Sequence, residues 1–323
     1  MSRVVEFSKT GPADVLTIVD AKIPEPKKSE VRIRVKALGL NRAESMFRSG
    51  TYLEDPHFPA RLGYEAAGVV EAVGDGVDPS RIGQRVWTWL AAGNRRWGTA
   101  AQFSVLPSRQ AVPLPHSASP ELGASLGVPA LTAHRCLFAD GPVAGKNVLV
   151  AGGAGAVGHF AIELAKFFGA RVVTTVSGPE KAQLARQAGA DEVVNYRDAD
   201  AADQLRAFAP TMDRIVELAL GANLELDLAV SGPYTHIVDY AAEPADPVLP
   251  VRKCMNANVT LRFVLLYAFP AEAIDHAVSD ISAALTAGAL TELPVTRLPL
   301  DQIVTAHEAV QAGTVGKVVL EIP

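Results

Sequence analysis

A chain of 323 residues, 49% of them apolar, has enough material to bury a core without cross-links, and its length predicts two domains of about 100–200 residues each. Its formal net charge of −5, with both signs scattered along the chain, excludes the basic footprint of a nucleic-acid binder. No apolar run reaches the roughly 18 residues of a spanning helix, MSRVVEFSKTGPADVL carries no secretory pattern, and Cys136 and Cys254 fit neither disulfide nor metal spacing, so a cytoplasmic protein with buried free thiols is expected.

From Arg3 to about Val112 the pattern is β-rich. Val31–Ala37 reads VRIRVKA, apolar and charged in strict alternation, which predicts a strand with one wet face in an antiparallel sheet. Glu65–Val73 and Arg85–Leu90 are further strands bounded by Gly, Asp and Pro. Pro120 to Leu137 has helical spacing of Leu and Ala, interrupted at Val128-Pro129. From Gly145 onward strands and helices alternate. The strands are Asn147–Ala151, Arg171–Val176, Glu192–Asn195, Arg214–Leu218 and His236–Tyr240. The helices Ala156–Gly169 and Pro179–Gly189 end on glycines suited to a left-handed cap. Apolar strands alternating with helices predict a parallel sheet covered on both faces. Ala271–Ala287 reads as a long helix and Gly316–Ile322 as a terminal strand that needs a sheet to join. The N-terminal β-rich unit is its natural host. The expected organisation is therefore α/β: a doubly wound parallel-sheet domain over 121–264, and a discontinuous β-rich domain over 1–120 and 265–323.

Ala151 to Gly158, AGGAGAVG, follows the apolar strand and opens a helix. Gly153, Gly155 and Gly158 satisfy G-x-G-x-x-G. Gly153 is expected to make the tight turn, Gly155 to let a pyrophosphate approach, and Gly158 to let helix and sheet pack closely. Ala154, Ala156 and Val157 supply the intervening backbone, and the helix N-terminus offers free N–H groups to phosphates. This marks a Rossmann cofactor domain. An NAD site places a carboxylate near the tip of the second strand to bind the ribose 2′-OH. Here that strand ends Thr174-Thr175-Val176-Ser177, with no acid. Ser177, Lys181, Tyr196 and Arg197 are close enough in sequence to meet a 2′-phosphate, which favours NADPH over NADH.

A β-rich unit followed by such a nucleotide domain resembles the medium-chain dehydrogenase/reductase superfamily. Its zinc alcohol dehydrogenases carry a cysteine and a Gly-His-Glu histidine where this chain has Gly39-Leu40-Asn41-Arg42 and Gly63-Tyr64-Glu65. No four-cysteine cluster is present either, so no zinc is expected. The pattern is similar instead to the zinc-independent, zeta-crystallin-like quinone oxidoreductases. Leu40-Asn41, Arg48-Ser49-Gly50-Thr51-Tyr52, the run from Gly63 to Val70, Val128-Pro129-Ala130-Leu131-Thr132-Ala133, Gly189-Ala190-Asp191, Asn195-Tyr196 and Gly316-Lys317-Val318-Val319 carry the resemblance along the whole chain. It implies a GroES-like catalytic domain, hydride transfer from NADPH to a small quinone or enone, a cofactor contact at Lys317, and a homodimer through the edge strand near Asn258–Val264. Met46, where some bacterial members have tyrosine, and Glu217-Leu218-Ala219, where many have Asp and a Gly-Gly turn, depart from it.

Without a metal, a developing oxyanion needs a hydrogen-bond donor. The candidates are Asn41, Tyr52 and Thr132. Each has a plainer alternative: Asn41 as the cap of a helix starting near Arg42, Tyr52 as a packing aromatic, Thr132 bonding backbone or the nicotinamide amide. Glu65 is expected in an internal salt bridge with an arginine, His134 as a satisfied helix residue, and Trp87, Trp89 and Trp97 in the core. Two competing readings are an enoyl-thioester reductase and a non-catalytic, crystallin-like or RNA-binding protein. The lack of a basic cluster weighs against both.

Overall fold

Alternating valine, isoleucine and basic residues build the longest strand of the chain. In the computed structural model, which describes residues 1–51, 57–92, 97–243 and 245–323, β1 (Ser2–Glu6) and β2 (Thr17–Ala21) form an antiparallel pair. β3 (Glu30–Leu40) follows, and its Val31, Ile33 and Val35 are wholly buried while Arg34 and Lys36 are exposed. This is the period-two pattern of a half-wet strand. Helix α1 (Arg42–Ser49) ends at Gly50, whose φ of +85° makes the left-handed cap. β4 (Glu65–Val73), β5 (Arg85–Thr88), β6 (Phe103–Pro107), β7 (Ala111–Pro113) and the short α2 (Pro120–Gly123) complete the first stretch.

The interruption expected at Val128-Pro129 is a wide, π-type helical turn over Leu126–Ala130. Proline lacks the N–H a tighter helix would use. α3 (Leu131–Phe138) then leads into β8 (Asn147–Ala151), α4 (Ala156–Phe167), β9 (Arg171–Val176), α5 (Pro179–Gln187), β10 (Glu192–Asn195), α6 (Ala201–Phe208), β11 (Met212–Glu217), α7 (Leu220–Ala229), β12 (Ser231–Asp239), α8 (Val251–Ala257), β13 (Thr260–Phe263) and α9 (Ala271–Thr286). The strands β8–β13 form one parallel sheet in the order β10-β9-β8-β11-β12-β13. This is the doubly wound order, which reverses direction beside β8, where ligands bind such sheets. Gly169 and Gly189 have φ of +84° and +96°, as helix-terminating glycines should.

The chain then returns with β14 (Val295–Pro299), α10 (Ile303–Gln311) and β15 (Lys317–Glu321). β15 runs antiparallel to β3, with Val319 opposite Gly39, and completes a sheet ordered β14-β15-β3-β4-β5-β7, with β6 also paired to β3. Its core gathers Val31, Ile33, Leu38, Val86, Val318 and Leu320. The protein thus divides into one unit of Met1–Val128 with Glu292–Pro323 and a second of Pro129–Thr291. The second boundary falls at 291 rather than near 264. Helix α9 buries Ile274, Ala277, Ile281, Ala284 and Leu285 and packs on α3 and α4, so it belongs to the parallel-sheet unit. No described helix is long and apolar enough to cross a membrane.

Candidate functional site

In the second unit, β8 delivers the chain into the glycine turn. The left-handed residue is Gly152, with φ of +68°, not Gly153 as the motif predicts. A Cβ on Gly152 would lie 2.6 Å from Leu218 Cδ2. Gly152 and Gly153 donate their N–H groups to Thr175 O at 3.0 and 3.2 Å, which pins the turn to β9. Gly153 serves close approach instead: a Cβ there would sit 2.1 Å from Thr174 Oγ1, a hydroxyl that itself donates to Val150 O at 2.6 Å. A Cβ on Gly158 would lie 2.4 Å from Gly152 O, so the helix can approach the turn only as glycine. At Gly155 a Cβ would meet only Gly152 O, at 3.3 Å, with nothing else within 4 Å. Gly155 is also the N-cap of α4, and His159 N–H closes on its carbonyl at 2.8 Å. The N–H groups of Ala156, Val157 and Gly158 therefore open the helix without an intrahelical acceptor. With Ala154 they surround an open glycine face with backbone donors, a cradle that fits a pyrophosphate.

At the tips of β9 and β10 the structure brings Ser177, Tyr196 and Arg197 together. Tyr196 donates its N–H to Val176 O at 3.1 Å. Arg197 donates backbone N–H to Asn195 Oδ1 at 3.1 Å and Nη1 to Ser177 O at 3.3 Å, with its guanidinium 5.7 Å from the Tyr196 ring centre. Lys181 lies in the first turn of α5, which Gly178 and Pro179 start. The cluster presents donors, a cation and an exposed phenol ring, and β9 ends without a carboxylate.

Two features of this unit escape the motif. Glu217, fully buried at the end of β11, accepts from Leu218 N–H at 2.7 Å, Ala219 N–H at 2.6 Å and Asn223 Nδ2 at 2.9 Å. Burial pushes its carboxyl up, and burial together with Glu217 pushes the carboxyl of neighbouring Asp227 well above the usual range. The signal was an acid directly after the apolar pair Ile215-Val216 at the end of β11. Thr132 lies on α3, 7% exposed. His134 Nε2 sits 2.8 Å from Asp280 Oδ2 but its Nδ1 is buried without a partner, so the expected satisfied helix residue is only half satisfied, and burial pulls its pKa down to about 4.

In the first unit a polar network lies under α1. Asn41 stands at the N-cap, where Glu44 Oε2 accepts its N–H at 2.5 Å and Glu44 Oε1 accepts Tyr64 N–H at 3.2 Å. Burial pushes the Glu44 carboxyl up to about 7, with the Lys317 ammonium pulling the other way. Lys317 Nζ donates to Asn41 Oδ1 at 2.7 Å and to Glu65 Oε1 at 2.5 Å. Asn41 Nδ2 donates to the same Glu65 oxygen at 2.8 Å, and Val128 N–H reaches Glu65 Oε2 at 2.9 Å. Glu65 is fully buried and Lys317 nearly so. The partner of Glu65 is thus a lysine, not the expected arginine, and the ammonium read as a cofactor contact serves Asn41 and Glu65. Tyr52 lies outside the described residues. Trp87 and Trp89 are core residues, whereas Trp97 is 40% exposed beneath the Arg61 guanidinium.

No group of three or more His, Cys, Asp or Glu side chains among the described residues is placed to hold a metal. An amide and a phenol stand at positions 41 and 64, and an ammonium already caps Glu65, so these donors do not fit zinc.

Comparison with known proteins agrees with this anatomy. Residues 27–116 match the alcohol dehydrogenase GroES-like domain family, and residues 156–283 match the zinc-binding dehydrogenase family. Quinone oxidoreductase of Rattus norvegicus is 31% identical over 98% of this chain and 96% of its own. Among solved structures, Escherichia coli quinone oxidoreductase complexed with NADPH superposes at a TM-score of 0.84 with 26% identity, covering 100% of both chains. An NAD-dependent alcohol dehydrogenase superposes at 0.89 with 26% identity over 99% of this chain and 100% of its own, so fold likeness alone does not select cofactor or substrate. Full-length similarity at this level, on a doubly wound unit with a glycine cradle and a GroES-like partner unit, identifies the chain as an oxidoreductase that belongs to the quinone oxidoreductase family of the medium-chain dehydrogenase/reductase superfamily.

Proposed function

We propose that the protein reduces small quinones or α,β-unsaturated carbonyl compounds with NADPH and without zinc. The observation that carries this reading is an open glycine cradle whose ribose end offers Ser177, Tyr196 and Arg197 in place of a carboxylate. Bound there, NADPH supplies the hydride. Gly155 and the backbone of Ala154 and Ala156–Gly158 hold the pyrophosphate, and Arg197 with Lys181 balances the 2′-phosphate. Asn41 donates to the substrate oxygen as negative charge develops there, with Tyr52 and Thr132 as the further candidates to hold that oxygen or the proton. The Lys317 ammonium on Glu65 supports a metal-free site, because a divalent cation beside it would meet like charge.

The test is NADPH and NADH oxidation followed at 340 nm with a quinone, an alkyl enone and an enoyl-CoA, before and after chelation. The expected result is turnover of quinone or enone, unaffected by chelator. NADPH should be preferred over NADH by at least about tenfold, and Arg197→Ala should erase that preference, since a charge-assisted phosphate contact is worth about 1.5–3 kcal/mol. Preference for the enoyl-CoA would make the protein an enoyl-thioester reductase. Tight NADPH binding with no turnover would make it a binding protein.

The same proposal extends to a homodimer through β13. This strand is the edge of its sheet, and Phe263, Leu265, Met255 and Tyr234 nearby are 64, 52, 73 and 76% exposed. Unpaired edges beside apolar surface are usually covered. Light scattering should give twice the 34.0 kDa chain mass and fall to one chain in Phe263→Asp. A wild-type protein of one chain would end that reading.

A further inference from the structure

We propose that Lys317 is a positioning residue for Asn41, together with Glu65, and not a cofactor ligand: the ion pair holds the Asn41 amide in a single orientation with one N–H unspent. This rests on the reading of Asn41 as the donor to the substrate oxygen. An asparagine amide is nearly symmetric in shape, and its two orientations differ only in which end offers an acceptor. Here each end meets a full charge. Oδ1 takes a hydrogen bond from the Lys317 ammonium at 2.7 Å, and Nδ2 gives one to the Glu65 carboxylate at 2.8 Å. Turning the amide over would set NH2 against the ammonium and oxygen against the carboxylate, so both contacts would become repulsive. Nδ2 carries two hydrogens and Glu65 takes one. The second belongs to a half-buried side chain at the N-cap of α1 and is available to an oxyanion.

Two glycines border this pair. A Cβ on Gly39 would lie 1.8 Å from Ala124 O and 2.9 Å from Lys317 Cε, and one on Gly127 would lie 2.1 Å from Thr88 O and 2.7 Å from Glu65 Cβ, so both positions admit backbone neighbours first and leave the two side chains room as well. Glu65 is also fixed from behind by Val128 N–H. A buried ion pair adds little net stability, because desolvation offsets attraction. Geometry is a better account of its presence beneath a donor.

The experiment compares two neutral double variants, Lys317→Met with Glu65→Gln and Lys317→Gln with Glu65→Gln. Both remove the charges together, and they differ in whether position 317 can still donate to Asn41 Oδ1. Enone turnover is measured at saturating NADPH, NADPH affinity by nicotinamide fluorescence, and folding at the assay temperature by thermal unfolding. The methionine variant is expected to lose at least about tenfold in kcat with the NADPH dissociation constant within twofold, and the glutamine variant to regain part of that rate. Adding Asn41→Ala to the methionine variant should cost nothing beyond Asn41→Ala alone, as residues acting through one another are not additive. A weakened NADPH complex, equal rates in the methionine and glutamine variants, or losses that add to those of Asn41→Ala would overturn the inference. Should the methionine variant fail to fold, Lys317→Gln with Glu65→Gln against Asn41→Ala decides additivity alone. Full kcat in Asn41→Ala would instead remove the donor reading on which the inference stands.

Discussion

The glycine cradle of the second unit and the network beneath α1 in the first unit solve the same problem, presenting hydrogen-bond donors at fixed points, by opposite means. The cradle uses backbone N–H groups of Ala156–Gly158 and carries no side-chain charge. Its requirement is room, and a single methyl group at Gly153 or Gly158 would collide with Thr174 Oγ1 or Gly152 O. The network uses a lysine, two glutamates and an asparagine, all polar and mostly buried. Its requirement is balance. Volume-conserving changes that keep the charge sum should be tolerated there, whereas loss of one partner strands the other.

The sharpest way to break that contrast is Lys317→Met alone. It leaves Glu65 as an unpaired carboxylate in the core and is expected to cost about 3–5 kcal/mol in urea unfolding. Adding Glu65→Gln should return most of it. If the single change is silent, the network does not depend on charge balance. Glu44 offers the next largest effect. Its pKa rises from 4.5 to about 7 on folding, so the folded protein holds the proton more tightly. That contribution is complete below pH 4.5 and is lost as pH rises to about 7, amounting to about 3 kcal/mol at 1.36 kcal/mol per pKa unit. Unfolding curves between pH 4.5 and 8 should show the fall, and Glu44→Gln should flatten it.

In the cradle, Gly153→Ala is expected to lower stability by about 1–3 kcal/mol through overpacking and to weaken NADPH binding with it. Gly155→Ala sharpens the comparison, since its methyl meets only Gly152 O. Melting should stay near wild type while NADPH affinity falls about tenfold, or 1.4 kcal/mol. A melting temperature lowered as far as in Gly153→Ala would mean that Gly155 is there for packing and not for a ligand. The smallest effect belongs to the Arg297–Glu121 pair, Nε to Oε1 2.9 Å, with the arginine 46% exposed. Arg297→Ala should leave the urea unfolding midpoint close to wild type, and closer still at high salt, the mark of a surface pair.

Local pattern carried most of the parallel-sheet unit. β8, β9 and β10, like β4 in the first unit, fall at the residues their apolar runs and flanking breakers indicate, because burial on one or both faces imposes a period that short-range sequence records. The glycine spacing and the missing acid after Val176 were equally visible, since a cradle made of backbone is encoded by the residues that form it. The turn expected at Gly153 falls on Gly152, because a motif counts glycines without saying which of two adjacent ones takes positive φ; the structure shows both N–H groups closing on Thr175 O of the neighbouring strand. The side of the molecule to which α9 belongs was hidden too, as an amphipathic helix announces an apolar face but not the surface that covers it. The network under α1 lay furthest from view. Lys317 and Glu65 stand 252 residues apart and meet only when β15 joins β3, so their pairing belongs to long-range strand order. A charge in sequence shows no preference among distant partners; desolvation inside a finished core selects one.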